Sequence, residues 1–461
     1  MNIPIIIVCY NNFKYVKNTL TQIIKINKEY YNNIQILDNN STCLETIEFL
    51  KNVDVKVIYN YINISPTINE FFNKHVYDNL PETFIITDPD LQLNENIPHD
   101  FIQILLNLSY KYKFYKIGFA LDISDFDEMY NDNSYFMNKS IYDLEIEFWK
   151  YKINNNEYEL YFAPIDTTFC LINKKYINSN IQCRIAGNFT AKHLPWYINN
   201  KIFNLYETYL LNLKTTNVST ISKVIYNYIE NNYLKIHKND EIILIKNVDN
   251  CNLNFWKNIY TYWENDSFNI FDKFLDKNKI FIDIGSWIGT TSIYGCRKSN
   301  HVYCIEAENE AFNDLSLNLE LNCNNYTLIN KAIYNVDNID VKFGKNKFLV
   351  DSKLNDSTSQ IYDENDISSE INYVKTITFQ NIINNYNINI NEISLIKVDI
   401  EGGEEFILFD LYCVHLCYKT PIYISFHYSW WKDKNLERFY FLTEEQKNNI
   451  IKNPFISILF E

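Results

Sequence analysis

Short apolar runs bounded by polar turns alternate along this chain with stretches of helical period, the signature of strands and helices in succession. PIIIVC (Pro4 to Cys9) predicts a buried strand, Tyr15 to Ile26 a helix, Ile34 to Leu37 a second strand and Phe84 to Thr87 another. The alternation restarts at Ile280 to Ile284 and runs on through His301 to Ile305, Leu328 to Ala332 and Ser394 to Ile400. Strands interleaved with helices imply an α/β class with mainly parallel sheets, and two such series imply two domains. Between the series, two helical stretches, Phe203 to Leu213 and Ser222 to Asn231, flank the polar turn Lys214 to Thr220. The boundary is expected in that turn, giving domains of residues 1–216 and 217–461. Asp351 to Asn372 is polar, acidic and aperiodic, and is expected to form a surface loop or lid.

Charge and composition narrow the function classes. A formal net charge of -15 over 461 residues argues against sequence-independent nucleic-acid binding, which needs a basic face to displace counterions. No apolar run approaches the ~20 residues of a membrane span, and the apolar start turns polar too soon for a signal peptide. A cytoplasmic location follows as an expectation. The 10 Cys are scattered without a CxxC pair, which favours reduced, packed thiols over disulfides or zinc.

Only 8 Gly occur, so each survivor marks a place where backbone geometry demands one. Gly285 and Gly289 stand in IFIDIGSWIG, Gly402 and Gly403 in IKVDIEGGE. Both are apolar strands entering tight turns that carry carboxylates, where a doubly wound sheet binds its nucleotide cofactor. Asp283, Gly285 and Gly289 follow the D-x-G-x-x-x-G pattern of S-adenosylmethionine-dependent methyltransferases. In that pattern the glycine lets backbone approach the cofactor and the acid holds its methionine part. Glu306 ends the next predicted strand, where an acid can take both ribose hydroxyls.

FIDIGSWIG, VYCIEAENEAF, INKAIYN, KTITFQNII and IKVDIEGGE, in that order from about Phe255 to Phe409, resemble the FkbM family of methyltransferases. The departures are Ala307, where the family commonly has proline, and Gly403, where it commonly has alanine. The resemblance implies a Rossmann-like sheet, S-adenosylmethionine as donor and a hydroxyl oxygen, often on a sugar, as acceptor. O-methylation removes a proton as the oxygen attacks, so Asp399, Glu401 and His427 are the candidate bases.

The first series carries PIIIVCYNNFKYVKNTL, IQILDNNST and TFIITDPDL, which resemble GT-A glycosyltransferases of the family 2 type across roughly Met1 to Leu213. The resemblance implies that Tyr10 packs on a nucleotide base, Asp38 recognises base or ribose, and Asp88 with Asp90 is the DxD motif. Two carboxylates one residue apart at a strand end can reach a cation that neutralises a diphosphate leaving group. His193 matches a metal-completing histidine and favours Mn²⁺ over Mg²⁺. Arg184 and Lys192 are expected to meet the diphosphate, and Asp166 is the candidate base for an inverting displacement.

Together these features predict a bifunctional enzyme: a metal-dependent transfer from a nucleotide-sugar to a glycan acceptor, followed by O-methylation. The alternative is a sugar O-methyltransferase whose N-terminal GT-A domain binds glycan without catalysis.

Overall fold

Five consecutive buried apolar side chains make β1 (Ile5–Cys9) a strand covered on both faces. The computed structural model describes residues 3–130, 139–198, 200, 202–214, 220–247, 252–344, 359–362 and 371–461. These fall into two compact units, Met1–Asn231 and Asn232–Glu461.

In the first unit β1 is followed by β2 (Ile34–Asp38), β3 (Lys56–Tyr59), β4 (Thr83–Thr87), β5 (Leu91–Leu93) and β6 (Lys116–Phe119). Then come β7 (Lys152–Ile153), β8 (Leu160–Phe162), β9 (Cys170–Asn173), β10 (Gln182–Ile185) and β11 (Ala191–His193). Nine of them form one mixed sheet in the order β3-β2-β1-β4-β9-β6-β10-β8-β7, while β5 and β11 pair separately. β1 runs parallel to β2 on one side and to β4 on the other. The order therefore reverses at β1, and the turns after β1, β2 and β4 open onto one crevice. The helix Phe13–Ile26 covers this sheet with Tyr15, Val16, Thr19, Leu20 and Ile23, the spacing of a single helical face.

The second unit opens with the hairpin β12 (Tyr233–Lys238) and β13 (Glu241–Lys246), whose two-residue turn holds Asn239 at positive φ. Its main sheet contains β14 (Ile280–Ile284), β15 (His301–Ile305) and β16 (Tyr326–Ile329). A smaller sheet holds β17 (Ala332–Ile333), β18 (Asp340–Gly344), β19 (Gln360–Tyr362) and β20 (Ile371–Ile377) in the order β17-β20-β18-β19. β21 (Ile393–Val398), β22 (Ile422–His427) and β23 (Phe455–Phe460) complete the main sheet, ordered β16-β15-β14-β21-β22-β23. Only β23 runs antiparallel in it. Alternate residues of β14 serve opposite cores: Ile280, Ile282 and Ile284 join one, Phe281 the other. The switch point lies between β14 and β21.

Two expectations need correction. The segment Leu328 to Ala332 is not one strand, because the Asn330 side chain turns to donate to the Glu306 carbonyl at 3.1 Å and the chain passes from β16 to β17 in another sheet. The units divide after the helix Thr220–Asn232 and not in the turn before it. That helix packs into the first unit through Tyr228 on Tyr130, ring centroids 5.1 Å apart, and buries Val224, Ile225 and Ile229. Residues 215–219 of the turn lie outside the described residues. So does most of the expected lid Asp351 to Asn372; within it, Gln360–Tyr362 forms β19. No described helix is long and apolar enough to cross a membrane.

Candidate active sites

In the first unit, the parallel register sets Asp38 beside Cys9, while Asp88 follows the last residue of β4. Asp88 is fixed by Thr167, whose hydroxyl donates to Oδ2 at 2.6 Å and whose carbonyl accepts the Asp88 N–H at 2.9 Å. Pro89 is held by the Thr19 hydroxyl, donating to its carbonyl at 2.6 Å. The short β5–β11 ladder sets His193 opposite Leu91, one residue past Asp90, and His193 Nε2 lies 3.5 Å from Asp90 Oδ1. Asp90 and His193 each keep 19% of the side chain exposed.

Burial, and for Asp88 the neighbouring Asp90 charge, raise both aspartates above the usual carboxylate range. Burial also pushes His193 down to about 4, so its imidazole is neutral near pH 7 and able to ligate. Asp90 Oδ1 and His193 Nδ1 are buried without a hydrogen-bond partner, an unmet demand that suits a cation. Asp166 is exposed in the turn carrying Thr167, close enough for its charge to act on Asp88.

Other expected residues of this unit have different roles. Arg184 is buried, ion-paired with Glu145, donates from Nε to the Pro164 carbonyl at 2.9 Å and stacks on Phe148. Lys192, whose side chain alternates away from its neighbour His193, is ion-paired with Asp125 and lies over Tyr197. Their expected part in diphosphate binding is corrected, since both cations are already neutralised. Asp38 is buried and accepts from the Ser41 hydroxyl at 2.6 Å and from the Ser41 N–H, closing its own turn. Asn11, unforeseen in the sequence, ties the turns after β1 and β2 together through the N–H groups of Thr42 and Cys43. Tyr10 is half-buried at the mouth of this crevice.

In the second unit a cavity of about 290 Å³ opens at the carboxyl ends of β14 and β21, lined by Gly285, Glu306, Lys397, Asp399, Glu401 and His427 among others. Gly285 has φ +78°, and a β-carbon there would stand 1.8 Å from the Asp399 carbonyl oxygen. Gly289, at φ +95°, begins the helix Thr290–Lys298. Glu306 accepts the N–H groups of Trp287 and Glu308, both at 2.8 Å, one on each carboxylate oxygen. Burial still raises it to about 7.

Asp283 requires correction. Strand alternation puts it on the Phe281 face, under the helix, where it is 0% exposed and lines no part of the cavity. Its Oδ2 accepts from the hydroxyls of Thr291 and Ser292 at 2.7 and 2.6 Å, and Oδ1 lies 3.2 Å from Lys397 Nζ. Asp283 and Lys397 are paired directly across β14 and β21. Lys397, missed in the sequence, also donates to the Gly285 carbonyl at 2.6 Å. A lysine inside the apolar run of IKVDI was the available signal.

His427 ends β22 and stacks on Trp430. Its Nδ1 is 2.9 Å from Glu404 Oε1, while Nε2 is 3.3 Å from Glu401 Oε2 and 3.6 Å from Asp399 Oδ1. Burial alone would lower its pKa, but Glu404, Glu401 and Asp399 together raise it to about 10. The imidazole is therefore charged near pH 7, and its expected role as general base is corrected.

Sheet order, switch-point cavity and glycine turn make the second unit a doubly wound α/β domain with a cavity where such sheets bind their ligands. Residues 280–447, within the C-terminal unit, match the model of the Methyltransferase FkbM domain. No curated relative matches the sequence. Among solved structures, similarity is found to a mannosyltransferase from Pyrobaculum calidifontis in complex with GDP-Man and Mn²⁺, at 9% identity, 49% of this chain, 68% of that chain and TM-score 0.28. A methyltransferase FkbM from Methylobacillus flagellatus KT gives 14% identity over 51% and 50% of the two chains at TM-score 0.25. A precorrin 8W decarboxylase from Methanobacterium thermoautotrophicum gives 14% over 35% and 62% at TM-score 0.21. The chain thus spans between half and about two thirds of these proteins' lengths. None reaches a similarity at which its site can be transferred.

Proposed function

We propose that the chain is a bifunctional glycan-modifying enzyme, joining a metal-dependent sugar transfer in the first unit to O-methylation of a sugar hydroxyl in the second. The observation that carries the second activity is the switch-point cavity, about 290 Å³, lined by both Glu306 and Asp399. That size sits at the lower end of ligand pockets, roughly 300–1,000 Å³. Each Glu306 oxygen accepts one N–H and keeps a lone pair for a ribose hydroxyl. S-adenosylmethionine supplies an electrophilic methyl group when bound. Asp399 and Glu401, at the end of β21, line the cavity where a hydroxyl proton has to be received.

In the first unit Asp90 and His193, with Asp88 behind them, would hold Mn²⁺ or Mg²⁺, which supplies positive charge against a nucleotide-sugar's diphosphate. Asp166, exposed beside Asp88, would take the acceptor's proton. The commitment of Arg184 and Lys192 to Glu145 and Asp125 favours a second reading, in which this unit binds glycan without turnover. Mass spectrometry of a glycan acceptor incubated with a panel of sugar nucleotides, Mn²⁺ and S-adenosylmethionine separates the two. Sugar plus methyl addition is expected; methyl addition alone across the panel selects the second reading.

Chelation is expected to abolish sugar transfer and leave S-adenosylmethionine binding intact, and Asp90→Asn to reproduce that loss by removing a charged ligand. Full sugar transfer in excess chelator would remove the metal from the reading. Glu306→Ala should weaken S-adenosylmethionine binding by about 1–3 kcal/mol, the cost of losing a charge-assisted partner. Because hydroxyls donate to the ionised carboxylate, affinity should rise with pH through about 7 as Glu306 loses its proton. Calorimetry showing a flat pH profile would place the ribose elsewhere.

A further inference from the structure

We propose that the second unit holds its own divalent cation, bound by Asp399, Glu401 and His427. Ligand atoms of these three lie within 4.8 Å of one another, and they are the only such His, Cys, Asp or Glu trio among the described residues. The expected set Asp88, Asp90 and His193 is looser. The trio gathers because β21 and β22 run side by side in parallel, Val398 opposite Ile424, so the turn after one meets the end of the other.

The chemistry of the donor set is that of a metal centre and not of a simple acidic cluster. Glu404, its carboxylate fully buried, fixes His427 through Nδ1 at 2.9 Å and accepts the Trp431 indole N–H at 2.9 Å on its other oxygen. That contact leaves Nε2 as the ligating nitrogen, aimed at Asp399 and Glu401, and a bound cation would displace the proton this nitrogen otherwise carries. A carboxylate behind a histidine in this way sets its tautomer and ring orientation for a metal. Two carboxylates and one imidazole suit a first-row divalent ion such as Mn²⁺, with the cavity side left open for further oxygen ligands. Lys397 stands 4.0 Å from Asp399 Oδ2, so Oδ1, on the His427 side, is the ligand atom.

The consequence for chemistry rests on the methyl-transfer reading; the binding site does not. An acceptor oxygen at the ion would give up its proton to the Glu401 carboxylate oxygen that does not ligate, its electron pair would form the new O–CH₃ bond, and the C–S bond would break with its pair left on sulfur. The ion favours the first of these changes by stabilising negative charge on oxygen.

The test is a Mn²⁺ titration of the full-length chain, followed by the loss of the free-ion electron paramagnetic resonance signal, with Asp90→Asn as the background. One bound Mn²⁺ per chain is expected in that background. Adding His427→Ala should weaken its binding by about tenfold or more, and Glu404→Gln, which keeps size and leaves all three ligands, by about 10–100-fold. Circular dichroism checks that each variant is folded, and Glu404→Gln decides the matter if His427→Ala is not. No bound ion in the Asp90→Asn chain, or binding indifferent to both further changes, overturns the site. S-adenosylmethionine affinity is measured by calorimetry on the same samples. Mn²⁺ bound where S-adenosylmethionine fails to bind would uphold the metal site and reject the methyl-transfer reading.

Discussion

Gly285→Ala is expected to lower methyl transfer by about 100-fold or more while leaving sugar transfer by the first unit unchanged. The new β-carbon would fall 1.8 Å from the Asp399 carbonyl oxygen, where no contact can exist, so the turns after β14 and β21 must separate. The residue also sits at φ +78°, which costs an L-residue about 1–2 kcal/mol on its own. A shift of about 1 Å in a reacting group is worth about 10²-fold in rate, and here the displaced turn carries Asp399 itself. The first unit has its own sheet and core, and none of its proposed catalytic groups comes from beyond Asn231. Labelled-methyl transfer and sugar-nucleotide turnover, measured on one folded sample, give the answer. Equal loss of both would mean one composite site and would sink the two-catalyst reading.

Much of the architecture could be read in the sequence because its strands are buried on both faces. IIIVC and IFIDI are nearly unbroken apolar runs, and the structure forms them as β1 and β14. The carboxylates at strand ends were legible for the same reason: Asp88, Glu306 and Asp399 each stop an apolar run at the carboxyl end of a strand, and Asp90 stands two residues past the first of them. Ion-pair partners were not. Arg184 finds Glu145 from 39 residues away, and nothing local announces that the guanidinium is taken. The side of the strand occupied by Asp283 was missed because a glycine motif suggests the cofactor, whereas period-two alternation sends that carboxylate under the helix. His427 was legible as a site residue, but its charge depends on three carboxylates that only the fold brings around it.

Asp283→Ala is expected to destabilise the second unit by about 3–5 kcal/mol, the usual cost of stripping one partner from a buried ion pair. Lys397 is 4% exposed and lies within β21, so without Asp283 its ammonium keeps only the Gly285 carbonyl and the Asp399 carboxylate, 4.0 Å away. Burial alone would lower its pKa; the charge of Asp283 comes first among those that outweigh burial and raise it. The alanine also strands the hydroxyls of Thr291 and Ser292, which lose their common acceptor at the start of the helix behind Gly289. Lys397→Met in the same chain removes the orphaned charge and should recover most of the loss, since a well-packed apolar pair can replace a buried ion pair at little cost. Denaturant unfolding of the full chain measures both variants, with the transition of the second unit identified by its shift on adding S-adenosylmethionine. If Asp283→Ala alone leaves that transition in place, the Asp283–Lys397 pair is not what holds β14 against β21. The double variant also gives up the Lys397 bond to the Gly285 carbonyl, so it should regain stability while binding S-adenosylmethionine more weakly than the unaltered chain.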